Sequence, residues 1–157
     1  MGAKRSKLFR AVWIPFGIIG LLSLFFILLL RRNSPQAMIR RALSRYGVGS
    51  ETIKYWIAVS AFETAGWTSN VYKQTDNLFN LIIPGSLRLT TGEGQTIFNA
   101  PEDSAVALVV HVLEPFKYPD NFASLQELVV FMKNKGYFTS NATAYITGVT
   151  YWYNKLF

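Results

Sequence analysis

The chain contains no cysteine and a single histidine. Without thiols there is neither a disulfide framework nor a thiolate nucleophile. One imidazole alone cannot assemble a zinc site, so neither a metal nor a cofactor is expected. That histidine, His111, sits in the apolar run SAVALVVHVLEP, where a core or edge place is the expectation. Acidic side chains are missing from the first 50 positions, which carry nine Lys and Arg. Residues 51–157 carry seven basic and nine acidic residues, a net of −2, so the formal charge of +7 belongs to the N-terminal segment. Phosphate binding needs cations clustered on the binding domain, and nucleic acid is therefore not an expected partner. Internal repeats and low-complexity tracts are absent as well. The 157 residues suffice for one domain with a core.

What is present first is AVWIPFGIIGLLSLFFILLL (11–30), twenty uncharged residues between KRSKLFR and RR. At about 1.5 Å per residue this matches a hydrocarbon core of roughly 30 Å. Pro15 and Gly17 fall near one end, where a kink is tolerable. A cleaved signal peptide would want a shorter apolar region and a small-residue cleavage site, whereas Leu-Leu-Leu-Arg-Arg follows here. The expectation is a single-pass membrane anchor with lipid as a partner. Basic residues on both flanks leave its orientation near a tie, and either flank suits anionic headgroups. NSPQAMIRRALSRYG (33–47) reads as a short helix, with Ser34 as cap, Pro35 in the first turn and Gly47 at the end. Its basic face is expected on the membrane surface. The expected layout is a basic flank (1–10), an anchor (11–30), a basic linker (31–49) and a catalytic domain (50–157).

From Ser50 onward the periodicity is mostly helical. ETIKYWIAVSAFETA ends at Gly66, and YWIAVSAF within it is apolar on nearly every face except at Ser60, the pattern of a buried helix. LIIPGSLRLTTGEGQTIF (81–98) combines β-branched residues with Pro-Gly and Gly-Glu-Gly punctuation and predicts a small hairpin. Pro101 opens a further helix, with Glu102 and Asp103 as first-turn acids. SLQE (124–127) is a capping-box pattern before LVVFMKNK, which Gly136 ends. A last helix starts near Ser140 or Asn141, where Asn141 of NAT serves as cap. The fold class expected is α+β, mainly helical, with one minor sheet.

Glu63 is the residue these elements single out. Burial at the end of an apolar helix disfavours its charged form. The negative end of the helix dipole acts in the same direction. Phe62 and Trp67 can supply apolar walls. A carboxyl that keeps its proton near neutral pH is what general-acid catalysis needs, and protonating a glycosidic oxygen is the usual task of such a group. The plainer reading is a helix end open to solvent, against which stands the preference for Lys or Arg in a last turn.

The segment AVSAFETAGWTSN…DNLFNL resembles the glucosaminidase family of peptidoglycan hydrolases, glycoside hydrolase family 73, related to the lysozyme superfamily. That family has a helix ending in a Glu-Ser-Gly-Trp-like motif followed by Asn-Leu-Phe-Gly. Here Glu63-Thr64-Ala65-Gly66-Trp67 and Asn77-Leu78-Phe79-Asn80 stand in those places. FNAPEDS (98–104) and KGYFTSNATAYITGV (135–149) resemble two further family segments, so the similarity spans roughly 51–155. The resemblance implies a lysozyme-like fold, cleavage of the β-1,4 bond after N-acetylglucosamine in peptidoglycan, and Glu63 as catalytic acid. Departures are Asn80 for a glycine, Phe98 for a tyrosine and Ala107 for an aspartate. Glu93 is the one acid of the predicted hairpin; it is a candidate second catalytic carboxylate or an ordinary turn residue. Trp67, Tyr137 and Tyr145 are candidates for stacking on sugar rings. Asn77 is a candidate for an acetamido contact or a turn-former, and Phe98 a candidate for substrate binding through the matching family position.

These observations together predict a membrane-anchored peptidoglycan hydrolase of the N-acetylglucosaminidase type. Its domain would face the cell wall from a bacterial inner membrane, or from the membrane of a phage as a lytic virion enzyme. The alternative is a catalytically inactive wall-binding or assembly module on the same fold.

Overall fold

The computed structural model describes residues 33–83 and 94–157. Its helices belong to one compact unit, Pro35–Phe157. They are α1 (Pro35–Arg45), α2 (Ser50–Glu63), α3 (Asn70–Thr75), α4 (Pro101–Leu108), α5 (Leu125–Asn134) and α6 (Ala142–Leu156); α4 runs on into a π-helical segment, Val109–Leu113.

Helix α2 is the axis of the unit. From Thr52 to Ala61 only Lys54 escapes burial, as a helix apolar on all sides requires. Helix α6 packs along it most extensively, α1 less so, and α5 touches it only lightly. The one polar residue of the apolar run, Ser60, is fully buried. Its hydroxyl donates to Leu78 O at 2.7 Å and accepts from Trp67 Nε1 at 3.0 Å, so the burial leaves no orphaned group. Close approach of α2 and α6 depends on Gly148, where a Cβ would lie 2.2 Å from the Phe62 ring.

The caps follow the sequence with small shifts. Gly49, not Ser50, is the N-cap of α2. Ser124 accepts from Glu127 N, and the Glu127 carboxylate returns a bond to Ala123 N, one residue before the usual reciprocal donor. Asn141 caps α6 by accepting from Thr143 N and Ala144 N.

Three expectations are corrected here. Helix α1 is not a linker lying on a surface. Ile39, Ala42 and Leu43 are fully buried, and Glu102 meets Arg41 at 3.3 Å and Arg45 at 3.6 Å, while Arg40 and most of Arg45 stay exposed. The α+β, lysozyme-like class is also not what is observed, because every element among the described residues is a helix and none is a strand. Residues 84–93 of the predicted hairpin lie outside the described residues. On its flanks a single backbone bond, Thr96 N to Leu81 O at 2.9 Å, stands where a ladder was expected. The Leu81 carbonyl and the Thr96 carbonyl both accept from the Asn77 side chain, so on these flanks a side chain takes acceptors that a ladder would use.

The third correction concerns the membrane. Among the described residues no helix is long and apolar enough to cross one. The longest, α6, has 15 residues, which reach about 22 Å against the roughly 30 Å of a hydrocarbon core. The expected span 11–30 lies outside the described residues. The single-pass topology, the lipid partner and the wall-facing localisation rested on that span, and no described helix supplies another. The expected description as a membrane-anchored, lysozyme-like wall hydrolase, or its inactive counterpart, is not matched by the described residues, which hold neither such a helix nor a strand.

Candidate active site

Glu63 is the last residue of α2. The chain stops there because the next turn winds the opposite way: Ala65, Gly66 and Trp67 have φ of 52°, 68° and 63°. Left-handed backbone costs a non-glycine residue roughly 1–2 kcal/mol, and such strain gathers at functional sites. It is held by a mesh of bonds. Gly66 N donates to Ala61 O at 2.6 Å. Thr64 Oγ1 donates to Ser60 O and accepts from Trp67 N. Gly66 is needed twice over, since a Cβ would also lie 2.4 Å from the Trp152 ring.

The Glu63 carboxyl lines a groove of about 730 Å³, a size suited to a small ligand or a short stretch of polymer. One wall is the Asn80–Ile83 segment, a second is His111, Val112 and Phe116, and a third is the 135–140 turn with Tyr145. Lys133 fixes that turn, donating from Nζ to Thr139 O at 2.7 Å and Ser140 O at 2.8 Å. The π-helical segment brings His111 and Val112 to the groove, in keeping with the tendency of such widened turns to occur at functional sites.

Tyr145 OH donates to Glu63 Oε1 at 2.5 Å. The ring that carries this hydroxyl is clamped, stacked on Phe138 at 3.9 Å and met edge-on by Phe62 at 4.9 Å. Burial raises the Glu63 pKa above its ordinary value, and hydrogen bonds from Tyr145 and Asn80 offset part of that rise. Burial also pushes the Tyr145 phenol far up, with neighbouring Tyr137 and Glu63 adding to it. Tyr145 therefore keeps its proton and acts as donor. Asn80 donates from Nδ2 to Glu63 O at 2.6 Å, which ties the groove wall to the end of α2. Tyr137 OH donates to Phe79 O at 3.3 Å.

Of the residues expected at the site, Glu63, Tyr137 and Tyr145 line the groove together. Trp67, Asn77 and Phe98 do not. The Trp67 indole is spent on Ser60. Asn77 is fully buried and uses its whole carboxamide internally, donating to Leu81 O and Thr96 O and accepting from Phe79 N and Leu81 N. Phe98 packs against the core while its N–H donates to Thr75 O. Glu93 lies outside the described residues, among which Glu63 is the one acid lining the groove.

Sequence reasoning missed Asn80, Tyr118, His111, Ile82 and Phe116 as groove residues. A signal existed for Asn80. It takes φ of 50°, the conformation that glycine favours and asparagine tolerates, at the position where the resembled family has glycine. Ile82 and Phe116 are 62 % and 43 % exposed, large apolar groups that only the assembled surface identifies as neighbours. Among the described residues no three His, Asp or Glu side chains gather to hold a metal ion. No protein-family model, curated protein or solved structure matches the chain.

Proposed function

We propose that the protein is a glycoside hydrolase of the endo-β-N-acetylglucosaminidase type, with Glu63 as the proton donor. The observation that carries the reading is the partly buried Glu63 carboxyl, raised in pKa by burial and held by Tyr145 at the wall of a groove. The resemblance of Glu63-Thr64-Ala65-Gly66-Trp67 and Asn77-Leu78-Phe79-Asn80 to the glucosaminidase motifs supports it.

Glu63 transfers its proton to the glycosidic oxygen as the bond from the anomeric carbon to that oxygen breaks. The departing sugar leaves as a neutral alcohol, and positive charge develops at the anomeric carbon. Water adds its oxygen to that carbon and gives up a proton, which restores the acid form of Glu63. Tyr145 stabilises the carboxylate formed midway, because its O–H is already aimed at Oε1 and needs no reorientation. Phe62, Phe138 and Phe79 reduce water access to the carboxyl and keep it protonated before the transfer.

The test is mass spectrometry of β-1,4-linked N-acetylglucosamine oligomers incubated with the full chain and with Glu63→Gln. Shorter oligomers whose summed mass exceeds the parent's by one water per bond cleaved are expected from the first and none from the second. Cleavage that survives Glu63→Gln, or an absence of cleavage on any amino-sugar glycan, refutes the reading.

A further inference from the structure

Two buried side-chain atoms have no hydrogen-bond partner among the described residues, Asn80 Oδ1 and Tyr118 OH. Folded proteins leave few such atoms, because each forfeits the bond it had with water. Both residues line the Glu63 groove. The Asn80 amide is oriented by its Nδ2–H bond to Glu63 O, which leaves Oδ1 as a fixed acceptor. The Tyr118 ring is wedged between Trp56 at 5.7 Å, Phe131 at 4.8 Å and Phe122 at 6.5 Å. Burial keeps its phenol protonated, and the phenol is felt electrostatically by both Tyr137 and Tyr145. It therefore belongs to the same cluster of hydroxyls as the acid's own partner.

One fixed acceptor and one fixed donor are the complement of a secondary amide. A sugar hydroxyl, donor and acceptor at one oxygen, also suits such a pair. An acetamido group offers its N–H and its carbonyl to the two atoms and in addition carries a methyl, for which Ile82, Ile83, Val112 and Phe116 supply apolar lining. We propose that Asn80 and Tyr118 are the specificity-determining residues for a 2-acetamido sugar in the groove: Asn80 Oδ1 accepts from the amide N–H, and Tyr118 OH donates to the amide carbonyl. The assignment rests on the glycosidase reading and names the residues that read the 2-acetamido group of its substrate. It also gives a reason for asparagine at position 80, since glycine would meet the backbone requirement but offer no acceptor.

The experiment uses the full chain with Glu63→Gln, so that a bound oligomer is not consumed. Calorimetric titration compares the tetramer of N-acetylglucosamine with its N-deacetylated counterpart, for that chain and with Asn80→Gly or Tyr118→Phe added. Glycine keeps the left-handed backbone and phenylalanine keeps the ring packing, and a thermal melt of each variant checks that both stay folded. Each substitution is expected to weaken acetylated-tetramer binding about tenfold, the size of one well-placed hydrogen bond, and to leave the deacetylated tetramer unaffected. The double variant should lose the preference between the two. Unchanged affinity for the acetylated tetramer, equal weakening for both sugars, or no binding of the acetylated tetramer by the parent chain overturns the assignment. Should one variant fail to melt cooperatively, the other, on a separate segment, decides the matter. Cleavage by the unsubstituted chain is read separately. Glu63-dependent cleavage with no acetamido preference removes only this assignment, and preference without cleavage removes only the enzymatic reading.

Discussion

Replacing Glu63 by glutamine should make stability respond to pH in a way that reports the acid's burial. In the folded chain desolvation holds the carboxyl above its ordinary pKa, with Tyr145 and Asn80 opposing it only in part. Once unfolded, the group returns to the usual range near about 4.3. A carboxyl raised on folding contributes stability that is fully present below the unfolded value, and that stability is lost as pH rises through the folded value. Glutamine has nearly the same shape, keeps an oxygen to accept from Tyr145, and does not titrate. The stability of the wild type minus that of Glu63→Gln should therefore fall with increasing pH. Because one proton is involved, the slope can reach about 1.4 kcal/mol per pH unit, between the ordinary carboxyl range and the folded-state value, with plateaus on either side. Urea titrations at half-unit steps from pH 3.5 to 8 (roughly ten curves per protein) measure it, given the few tenths of a kcal/mol that distinguish such midpoints. A flat difference, or one that rises with pH, would show a carboxylate that is not penalised by its surroundings and would refute the general-acid argument.

Other perturbations separate groove residues from framework. Tyr145→Phe keeps the stack on Phe138 and Phe62 but removes the 2.5 Å bond to Glu63. The alkaline limb of a pH–rate profile should move to higher pH, and kcat should fall about ten- to a hundredfold for the loss of a charge-assisted bond of about 1.5–3 kcal/mol. Asn77→Ala leaves two carbonyls and two N–H groups without their present partners. Its expected signature is destabilisation of at least about 3 kcal/mol in urea titration, with KM of the remaining folded enzyme unchanged. Gly148→Ala drives a methyl into the Phe62 ring, and chemical denaturation should show a loss of about 1–3 kcal/mol. The same substitution should depress kcat, because α2 and α6 carry Glu63 and Tyr145.

The part of the site that was legible before the structure is the part that local sequence encodes. A helix apolar on every side announces its burial, and an acid followed by Gly66 marks where that helix must stop. The inward turn of Trp67 and Asn77 was not legible, because Ser60 and Leu81, though near in sequence, are reached only through the left-handed turns at 65–67 and 80, and Thr96 comes from farther along the chain. On the described flanks of the hairpin expected over 81–98, Asn77 binds the Leu81 and Thr96 carbonyls, so a polar side chain takes acceptors that a ladder would use. The helix of residues 35–45 has its buried side chains at 39, 42 and 43, the spacing of a buried stripe, but its arginines suggested an outward role. Only the position of Glu102 reveals that Arg41 and Arg45 have a partner within the fold. The widened turn at 109–113 left no mark in composition, so His111 was assigned by its apolar neighbours rather than by the groove it reaches.

Glu63 closes a rod that is enclosed along most of its length, so this part of the groove is inherited together with the interior. The segments that contour the groove, 80–83, 109–116 and 135–140, instead mix exposed positions such as Ile82, Val110 and Phe116 with a few that reach the core, Leu81, Val109 and Leu113. Descendants of such a chain are free to change what they grip by editing the exposed positions. Any drift along the rod is met as a folding defect before it is met as altered chemistry.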